Sequence, residues 1–432
     1  MVSENRTAFL VIHGVGPHTH FQACDSFIQG FCDEYLKGKL TKTQPIDLQH
    51  NIKPRRNWLG TGISWLQNYV SLSVPDDNVT VDFYEYYWDI YMTHKAPFSE
   101  AYKLLTSASV DARKFYEQHP DMVPVATDLG EYFRKKKFMG RKREFKPAGY
   151  LKLLGPSFKL LSFVLPFFPP LLWILDKWAG TRLPIIGKVF EGFSAFMREP
   201  VPHFIGDVVR YLDLDPRSEN FETRRKITNG AVEELRELIN DESYTQIIIA
   251  GHSLGSVIAH NALNRIIHDV NANVITEAKA SKIKGLITFG SPLDKVAFFF
   301  RRHIDIRKDV QRQVLAHLHG FKARPLDVRK PDDKKALIFK VEDPIKRKMD
   351  TIRWLNFYHK KDLISGRLDL YNLENQNFKN LPALKGDGNI RIKDSEKKIS
   401  VMTAHGCYWG NYQGTGKGTN QMHQAIIKEF IQ

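Results

Sequence analysis

Short, uninterrupted apolar runs recur along the chain, with stretches of helical periodicity between them. The run 8–12 (Ala-Phe-Leu-Val-Ile) has the length of one buried strand, and His13-Gly14-Val15-Gly16-Pro17 behind it predicts a turn. Residues 79–88 are β-branched and aromatic and predict a second strand. The runs 244–250 (Tyr-Thr-Gln-Ile-Ile-Ile-Ala), 283–289, 351–358 and 398–403 predict further ones. Ala231, Leu235, Leu238 and Ile239 fall at i, i+4, i+7 and i+8 just before 244–250. Val257, Ile258, Ala262, Leu263 and Ile266 form a similar stripe just after it. Strands that are apolar throughout are buried on both faces. The alternation therefore predicts an α/β fold: a mostly parallel central sheet with helices on both faces.

Residues 98–205 break this rhythm. A polar helical stretch leads into a basic cluster that includes Arg134, Lys135, Lys136, Lys137, Arg141 and Lys142. An apolar, aromatic segment follows at 151–175, punctuated by Gly155-Pro156, Pro166 and Pro169-Pro170. Its uncharged part, 160–175, is shorter than the roughly 20 residues a spanning helix needs. Its prolines would also break such a helix, so an interfacial or re-entrant segment is expected. Ile185, Ile186, Val189, Phe190 and Phe193 then repeat at helical spacing, with Lys188 and Glu191 opposite. The expected organisation is an α/β domain from 1–97 and 206–432, interrupted at 98–205 by a mainly helical, basic and apolar insertion. A second excursion at 322–348 is charged and proline-punctuated, as a surface loop or hairpin would be.

Composition adds two constraints. The net charge of +15 implies an acidic partner, either nucleic acid or an anionic bilayer. The three cysteines, Cys24, Cys32 and Cys407, lack metal-ligand spacing and are too few for a disulfide framework. They read as reduced thiols, and the opening apolar run is too short for a signal peptide. The expected location is cytoplasmic, with peripheral attachment to the inner face of a membrane.

The candidate chemistry centres on Gly251-His252-Ser253-Leu254-Gly255, a G-x-S-x-G pattern between the strand 244–250 and a helix at 256–267. A strand turning sharply into a helix forces its central residue into strained backbone geometry, and small flanking residues such as Gly251 and Gly255 relieve the crowding. The serine oxygen is then lifted above the sheet, at a helix N-terminus whose N–H groups favour developing negative charge.

Here the chain resembles the α/β-hydrolase superfamily, and more narrowly its lipase- and esterase-like members. Phe9-Leu-Val-Ile-His13-Gly14 resembles the first main strand and its oxyanion turn. Thr288-Phe289-Gly290-Ser291-Pro292-Leu293 resembles the strand after the nucleophile helix, and Trp354 to Ile364 the strand and loop that carry the acid. The resemblance covers roughly 1–95 and 205–432. It implies a Ser-His-Asp serine hydrolase whose triad runs nucleophile, acid, histidine along the chain.

Ser253 is the expected nucleophile. Asp362, directly after the strand 351–358, is the expected acid, with Asp294 and Asp369 as rivals. His405, after 398–403 and followed by Gly406, is the expected base, with His317, His319, His359 and His423 as rivals. The resemblance places the oxyanion hole at the N–H of Leu254 together with one from Gly14 or Val15.

Neither a metal nor a cofactor is expected: His18 and His20 lack a completing acid or cysteine, and Gly414 to Thr419 lacks phosphate-loop spacing. The same resemblance implies that the insertion is a cap over an acyl groove, and its composition points to a membrane-facing surface at 134–197; one face could do each. Its apolar residues would enter the acyl boundary while Lys and Arg meet anionic headgroups. The expected substrate is a lipid or other apolar ester, and nucleic acid is not an expected partner. Thioesterase or amidase activity would use the same machinery, and a non-catalytic membrane-binding scaffold is the reading from another class.

Overall fold

The computed structural model describes residues 5–15, 19–37, 47–56, 63–74, 79–92, 208, 211, 217–293, 296, 352–362, 364–366, 368, 388–393, 404–409 and 420–432. The insertion at 98–205, the excursion at 322–348 and the strand expected at 398–403 lie outside these residues. The described strands form one sheet of eight. They are β1 (Asn5–Ile12), β2 (Asp47–Arg56), β3 (Ile63–Val74), β4 (Val79–Tyr86), β5 (Gln246–His252), β6 (Ile283–Phe289), β7 (Arg353–His359) and β8 (Asn389–Ile392). Their order is β2-β3-β4-β1-β5-β6-β7-β8. From β4 to β8 every pairing is parallel, whereas β2–β3 and β3–β4 are antiparallel. The sheet is thus mostly parallel, with an antiparallel flank that the hydrophobic pattern did not reveal.

The central strands are apolar throughout because alternate side chains enter two separate cores. Ala8, Leu10 and Ile12 of β1, with Ile247 and Ile249 of β5, join α2 (Glu219–Asn240) and α3 (Leu254–Asn271) on one face. Phe9 and Val11, with Ile248 and Ala250, join α1 (Gln22–Tyr35) and α4 (Gln421–Phe430) on the other. All seven of the residues Ala8, Phe9, Leu10, Val11, Ile12, Ile248 and Ile249 are 0% exposed. Burying each large apolar side chain contributes roughly 1.5–3 kcal/mol. Phe9 meets Phe27, Phe31 and Phe83 with ring centroids 5.5–5.7 Å apart, which locks α1 onto the sheet.

The helix stripes lie where the sequence predicts them: Ala231, Leu235, Leu238 and Ile239 are buried on α2, and Val257, Ile258, Ala262, Leu263 and Ile266 on α3. Ser218 caps α2, its side chain accepting the Asn220 N–H at 3.1 Å. The strand expected at 79–88 ends at Tyr86, and Trp88 turns inward, fully buried. The strand expected at 244–250 is shifted toward its end, so that Gly251 and His252 are still paired, with Thr288 and Phe289 of β6. Among the described residues, no helix is long and apolar enough to cross a membrane.

Parallel strands that all run one way present all their carboxyl ends at one edge. Among the segments that emerge there are His13-Gly14-Val15 after β1, Ser253 after β5, Gly290 after β6 and Asp362 after β7.

Candidate active site

Ser253 joins β5 directly to α3 with φ 51° and ψ −124°. A positive φ is costly for any residue with a Cβ and persists only where the surroundings fix it. Here both flanks fix it. A Cβ on Gly251 would lie 2.6 Å from the Gly255 carbonyl oxygen, and one on Gly255 would collide with the carbonyl oxygens of Ile12 and His13. The helix is therefore pressed against the end of β1 as only a glycine allows. Below the turn, the Ser253 N–H donates to the Phe289 carbonyl at 3.0 Å, and Ser256 Oγ donates to the Ser253 carbonyl at 2.5 Å.

The Ser253 side chain does not cap its own helix. Its Oγ lies 2.9 Å from Nε2 of His405, whose Nδ1 lies 3.0 Å from Oδ2 of Asp362. An ionised carboxylate can only accept, so Asp362 fixes the proton on Nδ1 and leaves Nε2 to accept from the serine hydroxyl. Ser253 and Asp362 are buried, and the His405 side chain is a quarter exposed. Asp362 is itself held: its Oδ1 accepts the N–H groups of Ile364 at 2.9 Å and Ser365 at 3.2 Å. His405 sits on a short 3₁₀ helix, Ala404–Trp409, and its carbonyl accepts from His252 Nε2 at 3.1 Å. Gly290, at φ 62°, passes beneath both rings, where a Cβ would stand 3.1 Å from His252 Nε2 and from His405 Cε1.

The turn after β1 closes the site from the other side. A Cβ on Gly14 would lie 2.8 Å from the Ser253 Cβ and 2.9 Å from His252 Nδ1, so the backbone here abuts the nucleophile. His13 braces the turn from within the core. Its ring stacks on Trp88, with centroids 4.9 Å apart and planes 7° apart. The Trp88 indole N–H donates to the His13 carbonyl at 2.9 Å, and its backbone N–H to His13 Nε2 at 3.3 Å. With Nε2 accepting, Nδ1 carries the proton and donates to the Gly14 carbonyl at 2.8 Å. Val15 follows, half-buried. On the opposite side of the serine, Leu254 opens α3, so its N–H is among those a helix leaves without an intrahelical acceptor.

Of the rival histidines, His359 is buried at the end of β7 with its Nδ1 accepting the Lys361 N–H at 3.2 Å. His423 is buried on α4 against the notch at Gly30 of α1. His317, His319, Asp294 and Asp369 lie outside the described residues. Among the described residues, no group of His, Cys, Asp or Glu could hold a metal ion.

Several side chains of this neighbourhood escape a reading of the sequence alone. Tyr408 donates to Asp362 Oδ2 at 2.8 Å. Asn356 of β7 donates to the Gly366 carbonyl at 3.0 Å and to Asn389 at 2.9 Å, tying the acid loop to β8. A signal existed for each: Tyr408 stands three residues after His405, where 3₁₀ side chains eclipse, and Asn356 is a polar residue inside an apolar strand.

A serine on a strained strand-to-helix elbow, facing a carboxylate-held histidine at the carboxyl edge of a mostly parallel sheet, is the arrangement of an α/β hydrolase. Residues 171–312 match the family model described as Lipase (class 3), a family of lipase-like serine hydrolases within the α/β-hydrolase superfamily. The match contains Ser253 and its glycines, begins inside the stretch 98–205, and ends before Asp362 and His405. No curated protein and no solved structure matches the chain.

Proposed function

We propose that this protein cleaves carboxylic esters of lipids through an acyl-enzyme on Ser253. The observation that carries the reading is the continuous array Ser253 Oγ–His405 Nε2 and His405 Nδ1–Asp362 Oδ2, at 2.9 and 3.0 Å, built on the strained elbow. Oγ attacks the ester carbonyl while its proton passes to His405 Nε2. The C–O bond then breaks, and the same proton goes to the leaving alkoxide. Water, deprotonated by His405, attacks the acyl-serine, releases the fatty acid and restores the Ser253 hydroxyl. Asp362 holds the imidazole in the required tautomer throughout. The oxyanion is met by the Leu254 N–H and a second N–H from the Gly14–Val15 turn.

The lipid substrate rests on the family match, which is to lipases, and on the apolar, aromatic composition of 98–205. We assign 98–205 as an insertion into the hydrolase domain, its basic and apolar stretch at 134–197 facing an anionic membrane surface. The net charge of +15 supports such a partner. A cytoplasmic, peripheral location accords with three buried cysteines that form no disulfide among the described residues.

Hydrolysis of nitrophenyl esters from acetate to palmitate, with and without anionic liposomes, tests the reading. Turnover that rises with chain length and with liposomes, and is lost in Ser253→Ala, is the expected result. Ser253-dependent activity on short esters alone would remove the lipid assignment. Activity confined to thioesters or amides would move the protein to that class of acyl transfer.

A further inference from the structure

We propose that Tyr408 is a positioning residue of this site, whose hydroxyl donates to the carboxylate oxygen that faces His405. It thereby sets both the place of Asp362 and the share of its charge that reaches the imidazole. The inference rests on the Ser253–His405–Asp362 reading and adds a fourth side chain to it.

The direction of the hydrogen bonds around Tyr408 is fixed by its neighbours. The hydroxyl has one proton and two lone pairs. The His359 backbone N–H fills one lone pair at 3.0 Å. Ser365 Oγ lies 2.9 Å away and Asp362 Oδ2 2.8 Å away. Ionised Asp362 cannot donate, so the phenol gives its proton to Oδ2 and the Ser365 hydroxyl gives its own to the phenol. Tyr408 is completely buried, and burial, then the neighbouring Asp362 charge, hold its phenol well above the ordinary value. It therefore remains a neutral donor at every pH where the enzyme would work.

Geometry makes the arrangement a clamp. His405 and Tyr408 lie on the same 3₁₀ turn and both reach Oδ2, while Oδ1 is held by the acid loop's own backbone at Ile364 and Ser365. The histidine-bearing turn and the acid-bearing loop are thus joined by a bond that does not pass through the imidazole. Each donor to a carboxylate disperses its charge. Without the phenol, more of the Asp362 charge would bear on the imidazole, and Ser253 would become reactive only at higher pH. Among the described residues, His252, with its ring 4.9 Å from that of His405, and the buried His359 and Cys407 are other titratable groups of this part of the fold. All three are retained when the phenol oxygen alone is removed.

The test is the rate at which a fluorophosphonate labels Ser253 as a function of pH, in the wild type, Tyr408→Phe and Ser365→Ala. The rate should rise with pH through one midpoint. In Tyr408→Phe that midpoint is expected about half to one pH unit higher, with the plateau rate about 3- to 10-fold lower. Ser365→Ala keeps the tyrosine but weakens its donation, so a smaller shift in the same direction is expected. It carries the test if Tyr408→Phe does not fold, as judged by its melting transition. A labelled wild type with unmoved midpoints in the folded variants would reduce Tyr408 to packing and overturn the inference. A wild type that is not labelled at Ser253 would instead overturn the reading of the site itself.

Discussion

At the residue scale, the site is a set of conflicts settled by neighbours. Ser253 accepts a backbone geometry that costs on the order of 1–3 kcal/mol, and Gly251 and Gly255 make room for it. Replacing Asp362 with Asn keeps the shape but lets the imidazole take the other tautomer, so kcat should fall about 10⁴-fold with little change in melting temperature. A fall below tenfold would mean that another group orients His405. Gly14→Ala pushes a methyl group toward the Ser253 Cβ and His252, and should cost about 10²–10³ in kcat through displaced oxyanion donors. Unchanged steady-state kinetics in that variant would separate the turn from the chemistry. Ser253 was legible in the sequence because everything that defines its elbow lies within five residues. Asp362 and His405 were legible only through the chain order of a resembling family. Tyr408 carried only its spacing of three from His405 as a signal, because its role depends on the loop after β7 meeting a turn more than forty residues away.

At the element scale, the parallel strands were legible because burial on both faces leaves an unbroken apolar run. β2 and β3 were not. β2, Asp-Leu-Gln-His-Asn-Ile-Lys-Pro-Arg-Arg, is a polar edge strand with a proline, and Leu48 and Ile52 on it are exposed. β8 has only four residues, too few for a period. The helices carry a pH dependence of their own. His260 of α3 and His423 of α4 are fully buried, and burial pushes them down to about 4 and about 3. Between those values and the ordinary 6.5, the unfolded chain binds protons that the folded one does not. Their stabilising effect is therefore complete above about pH 6.5 and is lost as the pH falls toward 4 and below. Urea midpoints should drop steeply over that window, and His423→Leu should show a shallower drop than the wild type. Equal slopes would mean that other groups control acid unfolding.

At the scale of the whole molecule, the sheet gathers the segments of the site at one edge, and the net charge of +15 would suit an acidic partner. If that partner is an anionic bilayer, sedimentation with phosphatidylserine vesicles should exceed that with phosphatidylcholine. It should weaken strongly between about 0.05 and about 0.5 M salt, where the screening length falls several-fold. Equal binding to both vesicle types would separate the charge from the membrane. The proposed chemistry, however, depends first on Ser253 as the nucleophile. Reaction with a fluorophosphonate followed by peptide mass spectrometry tests it most directly. One adduct is expected, on the peptide carrying Ser253, absent in Ser253→Ala and strongly reduced in His405→Ala. An adduct on any other residue, or none on a folded wild type, would contradict it.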